Sequence, residues 1–305
     1  MGTDLETIAF TAPGRALRWN HVVTAMLALV IAAYLGFGVL SPAVAGPAPM
    51  AETWSIPSSR PNLSMQATLF RPAGKGPFPL AIINHGSEED VRVRLHMAMP
   101  SFPALTAWLL ARGYVIVLPE RPGHGATGGP YLESQGACLF PDYVKAGLGA
   151  AASISATIDF MIRQSFVRPS GVLVIGNSAG GWGALALASQ NPGAVAGIIS
   201  FAGGRGGRNQ NRPNNNCAPD RLVTAAGVFG KSARTPTLWL YANNDSYFSP
   251  ALAGQMEHAF VAAGGNATLD ILPDVPGDGH ALINTSAAAG GWDAPVRKFI
   301  GGLKR

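Results

Sequence analysis

Short apolar runs alternate with longer segments of helical periodicity along most of this chain. Each run is bounded by glycine, proline or polar residues, which is the pattern that β-strands leave in a sequence. Strands are therefore predicted over residues 63–70, 80–83, 114–118, 172–175, 195–201, 237–241 and 267–272. The longer segments predict helices over residues 102–111, 143–164, 179–190, 251–263 and 296–303.

Most of these runs are apolar throughout, as expected of strands that are buried on both faces. The alternation predicts an α/β fold: one doubly wound, mostly parallel sheet with helices on both faces, and an antiparallel strand over residues 63–70 at its edge. Right-handed crossovers place the strand-to-helix loops at one edge of such a sheet, where ligands bind. The long loops 120–142 and 203–220 are expected to overhang that edge.

Composition and charge narrow the class of protein. The 305 residues are 48% hydrophobic and 13% charged, which suits a large core and argues against disorder. The net charge of +5 is spread without a basic run, so no nucleic-acid partner is expected. Residues 123–129 are glycine-rich but lack the Gly-Lys-Ser/Thr ending of a phosphate loop. No cluster of ligand residues has metal-binding spacing, so no metal is expected.

The N-terminal segment has the features of an export signal. Arg15 and Arg18 precede an apolar stretch over residues 22–40, and Ala43-Val-Ala45 follows as a small-residue cleavage site. A signal peptide is predicted over residues 1–45, with the alternative that residues 22–40 remain in the membrane as a signal anchor. Both alternatives predict a periplasmic or secreted domain that contacts the membrane only through this segment.

Downstream of that segment, the Pro/Ala/Ser-rich residues 46–61 are predicted to be a linker and residues 62–305 the folded domain. The chain has two cysteines, Cys138 and Cys217, one in each long loop. In an oxidising compartment such a pair predicts a disulfide, which would join the two loops over the ligand edge. The alternative is two unpaired thiols.

A strand, a tight turn and a helix meet at Gly176-Asn-Ser178-Ala-Gly180. Glycines two residues before and after Ser178 let the strand and the helix approach closely, which exposes the serine hydroxyl to a substrate carbonyl. The N–H of Ala179 then lies at a helix N-terminus, free to bind the negative charge of an oxyanion. The alternative is a glycine-rich turn whose serine only caps the helix. The strand-turn-helix context favours Ser178 as a nucleophile.

A serine nucleophile needs a histidine base and a carboxylate that orients the histidine. Asp245 follows the strand predicted over residues 237–241, and His280 follows the last predicted strand, so both fall at the ligand edge. Capping of the next helix is the alternative role for Asp245. Asp278 is a rival acid, and Asp274 is a weaker one.

A second turn at the same edge, Asn84-His85-Gly86-Ser87, follows the strand predicted over residues 80–83. Serine hydrolases of this kind of fold place a second oxyanion donor in such a turn. The N–H of Ser87 is the candidate donor, and His85 is expected to be structural. The alternative is an ordinary glycine turn.

Several motifs occur in an order along the chain that is more specific than any one of them. They lie at residues 84–87, 121–129, 141–147, 176–181, 241–245 and 277–280. With them, the chain resembles the dienelactone-hydrolase-like branch of the α/β-hydrolase superfamily over residues 62–303. The resemblance implies an α/β-hydrolase fold with Ser178, Asp245 and His280 as the catalytic triad. It also implies an oxyanion hole formed by Ser87 and Ala179, and neither a metal nor an organic cofactor.

One departure from that branch bears on the substrate. Dienelactone hydrolases proper use a cysteine nucleophile, whereas this chain has Ser178. The expected substrate is therefore a small-molecule carboxylic ester, cleaved through an acyl-enzyme, rather than dienelactone itself. The alternatives are a serine peptidase of the prolyl-oligopeptidase type and a catalytically idle hydrolase-fold protein that only binds its ligand.

Overall fold

Eight strands form one sheet in the computed structural model of the protein, which describes residues 51–303. The signal peptide or anchor predicted over residues 1–45 lies outside the described residues. In chain order the strands are β1 (Ala51–Pro57), β2 (Ser64–Phe70), β3 (Leu80–Asn84), β4 (Val115–Pro119), β5 (Val172–Asn177), β6 (Val195–Phe201), β7 (Thr237–Ala242) and β8 (Ala267–Leu272). They lie side by side in the order β1-β2-β4-β3-β5-β6-β7-β8. β1 and β2 are antiparallel to their neighbours, and the pairs from β4 to β8 are parallel.

Helices cover both faces of this sheet. The described helices are α1 (Val91–Leu95), α2 (Pro103–Leu110), α3 (Tyr143–Met161), α4 (Ala179–Ala188), α5 (Pro219–Gly230), α6 (Pro250–Ala262), α7 (Ala287–Gly290) and α8 (Asp293–Gly302), with 3₁₀ turns at Asn209–Asn211 and Gly279–Asn284. Helices α3, α4, α5 and α6 share one apolar core with one face of the sheet, and α2 and α8 share a second core with the other. Of these described helices, none is long and apolar enough to span a membrane. The predicted doubly wound α/β fold is confirmed.

The elements that carry the ligand edge are the most deeply buried ones. Strands β3, β4 and β7 and helix α4 are buried at every position. Their sequences are dominated by aliphatic, aromatic and small residues, so few polar side chains have to leave water on either face. The turns that follow β3, β5 and β7 are therefore attached to rigid parts of the fold.

The linker predicted over residues 46–61 is wrong for residues 51–57, and residues 46–50 lie outside the described residues. Residues 51–57 form β1, which pairs with β2 along its whole length and takes the edge position that was predicted for residues 63–70. Its side chains alternate, because Trp54 and the fully buried Ile56 turn inward while Thr53 and Ser55 are exposed. This alternation is short and follows a proline-rich stretch, so the pattern alone does not distinguish it from a linker.

Helix α5 is a second element that the sequence pattern does not predict. The long loop predicted over residues 203–220 ends at Ala218, and the helix begins at Pro219. Gly227 and Gly230 lower its intrinsic helix propensity. Gly230 packs so closely on α6 that a Cβ there would lie 2.1 Å from the carbonyl oxygen of Phe260. Packing against α6, rather than propensity, stabilises this helix.

The predicted disulfide is confirmed. Cys138 and Cys217 are bonded, and their Cα atoms lie 4.9 Å apart. The bond joins residues 120–142 to residues 203–218, which we call the first and second rim loops. Tyr143, at the start of α3, donates a hydrogen bond to the carbonyl oxygen of Cys217 and adds a second attachment beside the disulfide.

Removing the disulfide is expected to destabilise the protein. The cysteines are 79 residues apart, and closing a loop of that length lowers the entropy of the unfolded chain, worth about 4 kcal/mol of stability. For the double variant Cys138→Ser/Cys217→Ser we expect a melting temperature roughly 10 °C lower. A reductant should reproduce the loss in the wild-type protein and leave the double variant unchanged. Equal melting temperatures for the two proteins would contradict this prediction.

Candidate active site

Ser178 lies at the turn between β5 and α4, in a backbone conformation that residues other than glycine rarely adopt. Its φ is +51° and its ψ is −120°. Such conformations cost of order 1–3 kcal/mol and persist where the surrounding structure enforces them. The N–H of Ser178 donates to the carbonyl of Phe201 over 3.0 Å, and its carbonyl accepts from the N–H of Trp182 over 2.9 Å. A turn of this kind lifts a serine hydroxyl clear of the backbone.

The turn after β3 lies directly beside Ser178. A Cβ on Gly180 would come within 2.4 Å of the carbonyl oxygen of His85, so a larger residue at position 180 would push the two turns apart. A Cβ on Gly86 would lie 3.3 Å from the Cβ of Ser178. The two turns that carry the predicted nucleophile and oxyanion donors are therefore in close contact.

The predicted oxyanion donors Ser87 and Ala179 line the same cavity as Ser178. Ala179 is the first residue of α4, where a backbone N–H has no acceptor within the helix. Among the described residues, no acceptor pairs with the backbone N–H of Ala179 or Ser87. Two unpaired donors beside a serine hydroxyl are the arrangement that binds a developing oxyanion.

Asp245 and His280 meet at the same edge, after β7 and β8. Nδ1 of His280 lies 3.3 Å from the carboxylate of Asp245, whose residue is 2% exposed. Oδ1 of Asp245 also accepts hydrogen bonds from the N–H of Tyr247 over 2.7 Å and of Phe248 over 3.0 Å. The carboxylate is thereby held in place, Nδ1–H of His280 donates to it, and Nε2 is left as the acceptor.

The rival acids occupy other positions. The carboxylate of Asp278 accepts hydrogen bonds from the hydroxyl of Ser246 and from the backbone N–H of His280, not from the imidazole. Burial raises the pKa of Asp278, but these hydrogen bonds outweigh it and hold the pKa below its usual value. Asp274 accepts from the side chain of Asn243. Of the three candidate acids, the structure brings Asp245 to the His280 ring.

Tyr247, which the sequence pattern does not single out, covers the imidazole of His280. The two ring centroids are 3.9 Å apart and the planes are inclined by 18°, so the rings are stacked. Phe248 lies 5.6 Å from the same imidazole. In the described part of the chain the His280 ring makes no hydrogen bond to Ser178, a contact that often tightens only when substrate is bound. The sequence signal for this contact is the aromatic pair Tyr247-Phe248, which begins two residues after the acid.

A cavity of about 340 Å³ opens in front of Ser178. Its further lining residues come from the segment after Ser87, the second rim loop and the aromatic pair: residues 88–90, 204–208, 211, 247 and 248. The first rim loop was also expected to overhang this site, but none of its residues is among the described lining residues. Its polar side chains instead bond to the second rim loop from behind, through contacts such as that between Gln135 and Arg205.

Three buried charged side chains connect the rim loops, and one of them, Arg205, also lines the cavity. Nε of Arg121 donates to Oε1 of Glu133, and Nη2 donates to Oε2 over 3.2 Å. A second guanidinium, that of Arg205, lies 3.6 Å from Glu133. Burial by itself raises the pKa of Glu133, but the charge of Arg121, its hydrogen bonds and the charge of Arg205 outweigh it and hold the pKa below its usual value.

Replacing Glu133 by glutamine is expected to lower the free energy of unfolding by about 3–5 kcal/mol, because two buried guanidinium groups lose their counter-charge. Urea denaturation measures this difference. The matched control is Glu52→Gln, which breaks an exposed ion pair with Arg71 (3.1 Å) and should cost less than about 1 kcal/mol.

The stabilisation by Glu133 also depends on pH. Because folding lowers the pKa of Glu133, its contribution to the free energy of unfolding is complete above its ordinary pKa of 4.5 and is lost as the pH falls. Equal stability of Glu133→Gln and wild type at neutral pH would contradict the prediction.

His85 has a structural position beside these groups. It is 4% exposed, and its Nε2 accepts a hydrogen bond of 3.0 Å from the N–H of Arg121. Burial holds the pKa of His85 well below its usual value, so the ring is neutral. Within residues 51–303, no three His, Cys, Asp or Glu side chains are grouped in a way that would hold a metal ion.

Comparison with known proteins assigns the family. The model of the dienelactone hydrolase family matches residues 97–295. The chain belongs to the dienelactone hydrolase family. Membership makes the protein a hydrolase of the α/β-hydrolase superfamily, and the family resemblance found in the sequence is confirmed. A search of curated proteins gives no match.

Solved structures share the fold at low sequence identity. A candidate dienelactone hydrolase from Klebsiella pneumoniae subsp. pneumoniae aligns with a TM-score of 0.56 and 18% identity over 84% of this chain and 100% of its own. An esterase from Pyrococcus furiosus aligns at 0.58 and 12% identity over 84% and 93%. The acylaminoacyl peptidase of Pyrococcus horikoshii aligns at 0.61 and 14% identity over 84% and 42%. The chain thus spans less than half the length of that peptidase, and all three likenesses concern the fold.

Proposed function

We propose that the protein is an exported serine hydrolase that cleaves small carboxylic esters through an acyl-enzyme. The observation that carries the proposal is the backbone of Ser178, held at φ +51° beside two unpaired N–H donors. A serine that only caps a helix would not require this strain, because a cap adopts extended backbone angles. The Asp245–His280 pair at the same edge supplies the base that the hydroxyl needs.

In the proposed reaction, Oγ of Ser178 attacks the ester carbonyl while Nε2 of His280 takes its proton. Asp245 holds Nδ1–H and stabilises the imidazolium that forms. The N–H groups of Ser87 and Ala179 bind the oxyanion of the tetrahedral intermediate. His280 then gives the proton to the leaving alcohol, and a water molecule, deprotonated by His280, releases the acyl group.

Hydrolysis of p-nitrophenyl esters with acyl chains from C2 to C16 tests this proposal. We expect turnover of the shorter esters, since a cavity of about 340 Å³ is at the small end of ligand pockets. A fluorophosphonate probe should label Ser178, and mass spectrometry of the labelled peptide identifies the site. No turnover of any ester and no labelling by a folded protein would reject the proposal and favour the idle binding protein.

A serine peptidase is the second candidate, and the acylaminoacyl peptidase among the fold relatives favours it. Peptidases and esterases use the same acyl-enzyme chemistry, so the difference lies in the leaving group. The p-nitroanilides of the same acyl groups, and of N-acylated amino acids, distinguish the two. Turnover of the anilides at rates comparable to those of the esters would favour the peptidase.

Export is the part of the proposal that concerns location. The Cys138–Cys217 disulfide supports an oxidising compartment, periplasmic or extracellular, and the N-terminal sequence supports a signal peptide or anchor. Cell fractionation followed by N-terminal sequencing tests this directly. A mature chain that begins at Gly46 would favour cleavage, an intact chain in the membrane fraction would favour an anchor over residues 22–40, and a cytosolic chain would reject export.

A further inference from the structure

Behind the Ser87 backbone, a chain of side-chain hydrogen bonds connects the turn after β3 to both rim loops. Oγ of Ser87 lies 2.8 Å from Nε2 of His124 and 3.0 Å from the hydroxyl of Tyr131. The same hydroxyl of Tyr131 accepts from Nη2 of Arg205 over 2.6 Å. The proton transfers of the proposed reaction need none of these hydrogen-bonded side chains.

Arg205 and His124, the groups at the two ends of this hydrogen-bond network, determine the direction of every hydrogen bond within it. A guanidinium only donates, so the Tyr131 oxygen must accept from Arg205. At the other end, Nδ1 of His124 faces the carbonyl oxygen of Arg121 over 3.0 Å and must carry the proton there. Nε2 of His124 is then an acceptor, the Ser87 hydroxyl donates to it, and the Tyr131 hydroxyl donates to Ser87.

The surroundings of this hydrogen-bond network keep the direction of its hydrogen bonds fixed. Burial lowers the pKa of His124 to about 4, so the ring stays neutral and Nε2 stays an acceptor at neutral pH. The guanidinium carbon of Arg94 lies over the ring of Tyr131, 3.8 Å from the ring centroid. Arg205 donates further hydrogen bonds to Gln135 (3.2 Å) and to the carbonyl of Glu133 (2.8 Å). The tyrosine hydroxyl is therefore held from two sides.

We propose that Tyr131 and His124 are positioning residues, which act through the Ser87 hydroxyl to aim the Ser87 N–H at the oxyanion. The inference rests on the proposed acyl-transfer function. Strand β3 ends at Asn84, so Ser87 lies beyond the strand. The backbone N–H of Ser87 has no partner among the described residues. Its side chain is the part of the residue that is hydrogen-bonded. An oxyanion donor has to lie within a few tenths of an ångström of its best distance, so a small rotation of this peptide would lower the rate.

A double-mutant cycle on p-nitrophenyl acetate tests this role. Tyr131→Phe should lower kcat by about tenfold with KM changed by less than about twofold, because the loss falls on the transition state. Ser87→Ala keeps the backbone N–H but removes the hydroxyl through which the network holds it, so this variant should lower kcat by a similar factor. Since Tyr131 acts through the Ser87 hydroxyl, the double variant should be no slower than Ser87→Ala alone.

A second pair of variants tests the His124 end of this hydrogen-bond network. His124→Gln retains an acceptor near the position of Nε2, whereas His124→Leu removes it. We expect kcat of the glutamine variant to stay within about threefold of wild type and that of the leucine variant to fall at least about tenfold. The rescue by glutamine would not be expected if the imidazole only filled space.

A matched control separates positioning from general destabilisation. Thr157→Val removes a buried hydroxyl that donates to the carbonyl of Ser153 over 3.0 Å. Thr157 lies about 20 Å along α3 from Tyr143, far from the ligand edge. It should lower the melting temperature about as much as Tyr131→Phe while leaving kcat unchanged. Unchanged kcat in Tyr131→Phe, multiplicative losses in the cycle, or a loss confined to KM would each overturn the positioning role. Absence of turnover in the wild-type protein would instead overturn the proposed function.

Discussion

Replacing Ser178 by alanine is expected to lower ester hydrolysis by about 10⁶-fold, to the rate left by the oxyanion donors and substrate binding alone. The reason is chemical, since alanine has no nucleophile for the acyl group and His280 has no proton to accept. The fold should persist. Alanine replaces serine at the same φ of +51° with the same strain, and the Ser178 side chain makes no hydrogen bond to the described residues.

Initial rates with p-nitrophenyl acetate measure this loss, and thermal denaturation checks that the variant is folded. Ser189→Ala is a matched control, because Ser189 directly follows α4 and its hydroxyl donates to the carbonyl of Ala186 at the opposite end of the helix from Ser178. That variant should retain wild-type activity within about twofold. A Ser178→Ala protein that keeps a tenth or more of the activity would show that another group is the nucleophile.

The second large effect is expected at Asp245. Asp245→Asn should lower kcat by about 10⁴-fold, because it places the wrong tautomer of His280 in the site. Oδ1 of Asp245 accepts from the N–H groups of Tyr247 and Phe248, so the asparagine oxygen must take that place and its amide must face His280. Nδ1 then has to accept, Nε2 carries the proton, and the base for Ser178 is lost.

Asp278→Asn is the control for this prediction, because Asp278 is the rival acid and lies two residues from His280. Its carboxylate accepts hydrogen bonds from Ser246, from Arg208 and from backbone N–H groups, but not from the imidazole, so the variant should lose stability and less than about tenfold of kcat. A larger loss of kcat in Asp278→Asn than in Asp245→Asn would reverse the assignment of the acid.

The parts of this protein that were predictable from sequence are those set by local pattern. β5, the turn at Ser178 and α4 follow one another without a break, so hydrophobic runs and glycine spacing are enough to place them. The positions of Asp245 and His280 after their strands follow from the same logic. Because the carboxyl ends of parallel strands share one edge, order along the chain becomes proximity in space.

What the pattern could not supply depends on contacts between distant segments. The choice between Asp245 and Asp278 needs the path of the chain after β8, and the stacking of Tyr247 on His280 needs the same information. The network of Tyr131 and Arg205 joins residues 74 positions apart through side chains with no periodic signal. Strand β1 was missed for a related reason, since its identity comes from its pairing with β2.

The hydrogen bonds from the rim loops to Ser87 limit how independently this protein can acquire new substrates. Enzymes of this architecture are often treated as modular, with chemistry on the scaffold and selectivity on replaceable loops. Here Tyr131 and Arg205 belong to the rim loops, yet they hold a candidate oxyanion donor on the scaffold. A library that varies the rim loops for selectivity will therefore also vary turnover, unless Tyr131 and Arg205 are kept fixed.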